Sequence, residues 1–271
     1  MIQWRQKNFW FGGNKMEQSG QKIICGAQLY TVRNLVHSSA DLPALFEKLR
    51  GYGVTVAQVS GIGNHDPAYL RRVADENGIR LPVTHSAQNR IQKDLDNLAK
   101  EHQILGADTI GLSALGGWMC SGRLGMRAFC RFADRTSERL KDYGLKFAVH
   151  NHNREFRKVG GTELLFQYLK NTRDTQFIPD VYWIKAAGYD PVEVIERLSG
   201  RVTHVHIKDY QSLPDGSYRI ADLGEGELDF PAILKACENA GAKYAYIEHD
   251  DTRDPLRSIE IGMDYLRTVY G

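Results

Sequence analysis

The sequence predicts an α/β fold, a single (β/α)8 TIM barrel, and three observations carry that expectation. Short β-rich runs alternate with amphipathic helical patterns, one unit roughly every 25–40 residues. About eight such units fit into 271 residues, near the ~250 typical of the barrel. The first strand leads into Tyr30-Thr31-Val32-Arg33 rather than a glycine-rich turn, which argues against a doubly wound dinucleotide-binding sheet.

Taken in order, strands are expected near Ile23–Leu29, Val54–Val59, Leu81–His85, Thr109–Leu112, Leu145–His150, Gln176–Asp180, Val202–His206 and Tyr244–Glu248. Several are apolar throughout, as strands covered on both faces should be. Gly161-Thr162-Glu163 opens a helix that places Leu164, Leu165, Tyr168 and Leu169 on one face. Asp190-Pro191 opens another that ends near Gly200. Asp229 caps a helix with Ile233, Leu234 and Cys237 inward and Gly241 as its stop, and Asp254-Pro255 starts the last one, with Leu256, Ile259, Met263 and Leu266 at helical spacing.

No linker rich in Pro, Gly or Ser divides the chain, so residues 22–271 read as one barrel domain. Residues 1–21 read as a poorly ordered N-terminal extension. Met1 to Lys15 mixes aromatics and bases without an apolar run or a small-residue cleavage site, so it makes a poor signal peptide.

Charge and composition exclude several function classes. With 35 basic against 33 acidic residues the formal charge is +2, and no long basic run occurs, which argues against a nucleic-acid or membrane-surface partner. The apolar runs are strand-length, too short to span a bilayer. Cys25, Cys120, Cys130 and Cys237 are scattered, as reduced thiols of a cytoplasmic protein would be. A homo-oligomer is compatible with all of this.

In a barrel, the reacting groups sit at the C-terminal ends of the strands, where the βα loops share one pocket. Here four consecutive strands end in ligand-type residues: His150, Asp180, His206 and Glu248. Two imidazoles and two carboxylates suit one divalent ion of the Mn2+, Zn2+, Co2+ or Mg2+ kind. Asp180 could equally cap a helix. His204 is expected to turn away from His206 and to hydrogen-bond inside the structure. Trp183 is a candidate wall for stacking a sugar ring, and His85, Arg33 and Asp209 are candidate substrate contacts. Lys208 could pair with Asp209, and Gly224-Glu225-Gly226-Glu227 could line the pocket or form a turn before the Asp229 cap.

The ordered set of motifs resembles the xylose-isomerase-like superfamily of sugar isomerases and epimerases, which includes inosose dehydratases and tagatose or psicose 3-epimerases. Its carriers are Gln28-Leu29-Tyr30-Thr31-Val32-Arg33, His150-Asn151-His152 with Glu155-Phe156, and Asp180-Val181-Tyr182-Trp183 with Gly188 and Asp190-Pro191. They continue with Gly200-Arg201, His206-Ile207-Lys208-Asp209, Gly224-Glu225-Gly226 with Asp229-Phe230, and Glu248-His249-Asp250. The resemblance is strongest to the branch with His-Asn-His on strand five. It implies that Asp180, His206 and Glu248 occupy three of four metal-ligand positions, with His150 standing where the epimerases carry a glutamate. A second departure is Gln58 on strand two, where close relatives usually carry a glutamate; an amide there can hydrogen-bond but cannot act as a base.

These readings imply a metal-dependent isomerase or epimerase acting on a sugar or polyol through an enediolate. Glu248 or a histidine of the His150-Asn151-His152 segment would be the base, and Lys208 would protonate or orient an oxygen. With one glutamate rather than two, elimination or hydrolysis of a keto-sugar, 3-keto-glycoside or inosose is the alternative. A non-catalytic sugar-binding relative is a second alternative.

Overall fold

Each expected apolar run forms a strand in the computed structural model, which describes residues 22–271; the extension read over 1–21 lies outside the described residues. The strands are β1 (Ile24–Gln28), β2 (Val56–Val59), β3 (Arg80–Ser86), β4 (Thr109–Leu112), β5 (Lys146–His150), β6 (Gln176–Ile178), β7 (His204–Ile207) and β8 (Tyr244–Ile247). All pair in parallel in the order β6-β5-β4-β3-β2-β1-β8-β7. Two isolated parallel bridges, Phe177 with Val202 and Asp180 with His206, join β6 to β7 and close the ring.

The helices lie outside this ring. They are α1 (Leu42–Gly51), α2 (Pro67–Glu76), α3 (Gln88–Lys93), α4 (Leu95–Leu105), α5 (Gly122–Lys141), α6 (Leu164–Asn171), α7 (Val181–Ala186), α8 (Pro191–Arg197), α9 (Phe230–Ala240) and α10 (Pro255–Val269). Asp190, Asp229 and Asp254 accept amide hydrogen bonds at the starts of α8, α9 and α10, each followed at once or one residue later by proline. Such caps typically contribute about 1 kcal/mol each. Gly241, with φ +92°, stops α9 in the left-handed conformation that a side chain would resist.

Two apolar layers follow from the period-two alternation of side chains along each strand. Outward residues such as Ile110, Phe147, Val149, Phe177 and Ile207 pack under the helices, and inward residues Val56, Val83, Ala148, Ile178, Tyr244 and Tyr246 fill the ring itself. His204 corrects an expectation. Two residues from His206, it must share its face, and both point into the ring. His204 lies a layer lower, fully buried, bonded to the Tyr246 hydroxyl at 3.0 Å and to Thr109 Oγ1 across the ring at 3.3 Å.

Two short hairpins escaped the sequence reading, Lys158–Val159 with Thr162–Glu163 and Asp209–Ser212 with Tyr218–Ala221. Both lie in βα loops, at the end of the ring where the ligand-type residues gather.

Candidate metal centre

The four strand-end residues do converge. His150, Asp180, His206 and Glu248 are all buried, and one donor atom from each lies within 4.8 Å of the others. His150 ends β5 and His206 is an inward residue of β7, while Asp180 follows β6 after Pro179 and Glu248 follows β8 directly.

Both imidazoles are held by their outer nitrogens. His150 Nδ1 donates to the Ser113 carbonyl at 3.3 Å, and His206 Nε2 donates to Gln58 Oε1 at 2.7 Å. A carbonyl only accepts, so each ring carries its proton on the outside and turns a lone pair inward. His150 Nε2 then faces Asp180 Oδ2 at 3.2 Å. His206 Nδ1 faces Glu248 Oε2 at 2.8 Å and Asp180 Oδ2 at 3.6 Å. Yet neither His206 Nδ1 nor Glu248 Oε2 has a hydrogen-bond partner. Lone pairs this close repel unless a proton or a cation lies between them, and the donor set of two imidazoles and two carboxylates fits a divalent ion.

Asp180 performs both tasks that its position allowed. Its Oδ1 accepts the Trp183 amide at 3.1 Å and caps α7, while its Oδ2 faces the histidines. The Asn151 side-chain oxygen accepts the Asp180 amide at 3.1 Å, fixing the turn from below.

Lys208 is 2% exposed and lies 3.1 Å from both Asp180 Oδ2 and Glu248 Oε2. Its hydrogen bonds go to Asp250, at 3.0 and 3.2 Å. Burial opposes its charge, but the three carboxylates outweigh burial and hold its pKa above the ordinary range. Conversely, burial would raise the carboxyl pKa of Asp180 and of Glu248, and Lys208 overrides it, keeping both well below the usual values. For Asp250 the balance falls the other way: burial and then the Glu248 charge push it up to about 6. Burial also opposes charge on His206, yet the Glu248 and Asp180 carboxylates raise its pKa to about 9. Without an ion, His206 would therefore take a second proton at neutral pH, and a bound ion would take that proton's place.

Above the four donors opens a cavity of about 430 Å³, lined by Tyr30, Arg33, Ser60, His85, Ser113, Ala114, His150, His152, Lys208, Glu248, Asp250 and Asp251. His85 lies over the centre, its ring 5.1 Å from that of His150 and 5.2 Å from that of His206. Gly111 makes the room, since a Cβ there would come within 3.0 Å of the His85 ring. Burial, with His150 beside it, drops the His85 pKa well below the ordinary value. His152 packs edge-on against His150 and is pushed down to about 3, by burial first and then by His150.

The other expected contacts divide. Arg33 lines the cavity, stacked on Tyr30 and bonded to the carbonyls of Tyr30 and Asp250 at 2.8 and 2.9 Å. Trp183 stands beside His152, ring to ring at 5.5 Å, but is not among the lining residues. Asp209 turns away from the cavity. Its carboxylate accepts the amides of Tyr210, Gly224, Gly226 and Leu228 at 2.8–3.1 Å, so it pairs with backbone rather than with Lys208. The Gly224–Glu227 segment is thus a turn built on Asp209.

Sequence reasoning passed over Asp250 as a site residue and gave no role to Ser113 or Asn151. For Asp250 a signal existed: it stands two residues beyond Glu248 and shares its inward face.

The sequence profile described as xylose isomerase-like TIM barrel matches residues 46–269. Among solved structures, a sugar phosphate isomerase/epimerase from Parabacteroides distasonis superposes with TM-score 0.75 at 22% identity, over 94% of this chain and 96% of that one. An L-ribulose 3-epimerase gives 0.70 at 15% identity, over 92% and 94%. A probable 3-DHS dehydratase from Bacillus anthracis gives 0.69 at 13% identity, over 93% and 100%. At such identities the likeness concerns the fold. No curated protein matches the chain. Among the described residues, no helix is long and apolar enough to cross a membrane.

Proposed function

The chain belongs to the xylose isomerase-like TIM barrel family, and from that premise we propose a divalent-metal enzyme that moves a proton beside the carbonyl of a sugar or polyol. The observation that carries this is the pair of inward lone pairs, on His150 and His206, facing two buried carboxylates. His150, Asp180, His206 and Glu248 would hold the ion. Bound there, it supplies Lewis acidity next to the substrate carbonyl, which acidifies the adjacent carbon.

The remaining work falls to side chains. Glu248 lines the cavity and is kept ionised by Lys208 beside it, so we assign it as the base. Lys208 keeps the carboxylates charged and offers its ammonium to an oxygen on which charge develops. His85 and His152 stay neutral and present their rings to substrate hydroxyls. Trp183 stands behind His152 and braces its ring.

A second reading, elimination, is favoured by one feature. Apart from Glu248, the acids on the cavity wall are Asp250 and Asp251, while β3 and β5 contribute imidazoles. A two-carboxylate proton shuttle across the substrate has no second member from β5. Asp250, raised to about 6, could instead protonate a departing oxygen.

Metal-loaded protein incubated in D2O with a panel of ketoses, keto-sugars and inososes should place deuterium on the carbon next to the carbonyl, read by NMR. Reprotonated product marks isomerisation or epimerisation, and an unsaturated product marks elimination. No exchange with any member of the panel, in a protein shown to hold its metal, would count against proton abstraction.

A further inference from the structure

We infer that the substrate of this site is an uncharged sugar or polyol, not a sugar phosphate, because the barrel has filled its own anion-binding positions. The inference rests on the proton-transfer reading above and narrows it. Three observations support it.

The first is the loop after β7. In TIM barrels a phosphate is often held by backbone amides of the loops that follow strands seven and eight. Here the amides of Gly224, Gly226 and Leu228 do converge on an anion, but that anion is the Asp209 carboxylate, at 3.0, 2.9 and 3.1 Å. The Tyr210 amide adds a fourth bond at 2.8 Å. Asp209 is 1% exposed. The fit is close enough that a Cβ on Gly226 would stand 2.3 Å from Asp209 Oδ1. An amide nest of this kind binds one anion, and the chain supplies it.

The second is the commitment of the cavity's cations. Arg33 and Lys208 are the two Arg or Lys side chains that line it. Lys208 lies within 3.1 Å of Asp180, Glu248 and Asp250. Arg33 spends its guanidinium on two backbone carbonyls and the Tyr30 ring. A phosphate would have to share one of these cations with the partners it already holds.

The third is the sign of the wall. Glu248, Asp250 and Asp251 line the same cavity. A phosphate dianion would meet like charge there, whereas hydroxyl groups find acceptors in the carboxylates and neutral partners in Ser60, Ser113 and His85.

The nest is tested by titrating 15N-labelled, zinc-loaded protein with inorganic phosphate. The amide resonances of Gly224, Gly226 and Leu228 should stay in place. In Asp209→Ala they should shift saturably, and Asp209→Asn serves if the alanine variant does not fold. Saturable movement in the wild type would overturn the inference. A second arm offers matched pairs, each neutral ketose or keto-sugar with its phosphate monoester, in the deuterium exchange assay. Exchange at least tenfold faster with neutral members supports the inference; a phosphorylated member preferred by that factor overturns it and leaves the proton-transfer reading intact. Failure of every pair would instead sink proton transfer, while the NMR arm still decides whether the nest is closed.

Discussion

Asp180 and His206 meet twice, once through a parallel backbone bridge that helps to close the ring and once as facing side chains, with Asp180 Oδ2 3.6 Å from His206 Nδ1. Elsewhere in the ring, neighbouring strands pair as ladders of two to four residue pairs; between β6 and β7 there are two isolated bridges. Two metal-type ligands thus straddle the thinnest seam of the barrel, which ties occupancy of the centre to closure of the ring.

Removing one ligand should release the ion. Purified protein is expected to carry about one divalent ion per chain by elemental mass spectrometry, in keeping with the donor set. His206→Ala should lose it. Full retention by the variant would remove His206 from the ligand set.

Asp180 separates two roles. Asp180→Asn keeps an oxygen for the Trp183 amide but loses the charge, and Asp180→Ala loses both. Metal affinity should fall in both. The alanine variant should lose about 1 kcal/mol more stability, the usual worth of a cap. Equal melting temperatures for the two would show that the cap contributes nothing here.

Gln58 orients His206 through its outer nitrogen. Gln58→Leu should weaken metal binding about 10–100-fold, as loss of such supporting hydrogen bonds does. A chelator-competition titration measures this, and unchanged affinity would mean that packing alone holds the ring.

Glu248→Gln should preserve the fold by circular dichroism while slowing exchange by about two to four orders of magnitude, the scale of a lost general base. Near-normal turnover would move the base to His152 or His85.

The pH dependence follows from His206. Its pKa in metal-free protein, about 9, lies above the ~6.5 of an unfolded histidine. A raised pKa contributes stability in full below ~6.5, and that contribution is lost as pH rises through 9. Metal-free protein should therefore melt at progressively lower temperature across this window, and loaded protein should not. Calorimetry in buffers of different ionisation enthalpy should also detect proton release on metal uptake at neutral pH. A flat metal-free profile with no proton release would show that His206 stays neutral without the ion.

Much of this was legible in the sequence. The eight strands were, because alternation and apolar runs are local signals, and so was the convergence of His150, Asp180, His206 and Glu248, because a shared barrel geometry puts every strand end at one mouth. Asp209 was misjudged because its partners, Gly224, Gly226 and Leu228, lie 15 to 19 residues away in a loop whose path no local pattern reveals. His204 was misplaced although period two along a strand assigns it to the inner face. The hairpin beginning at Asp209 was hidden because its strands are four residues each, within loop-like composition.

The amide at position 58 has a further consequence for valence. Asp180, Glu248 and Asp250 carry three negative charges, Lys208 carries one positive charge, and the histidines are neutral when they ligate. A doubly charged ion brings this sum to zero, and a glutamate in place of Gln58 would have left it at minus one. Surplus charge in a buried site costs several kcal/mol, so this set of side chains would favour a divalent ion by electroneutrality. An ion oxidised to the trivalent state would sit there with an unmatched positive charge.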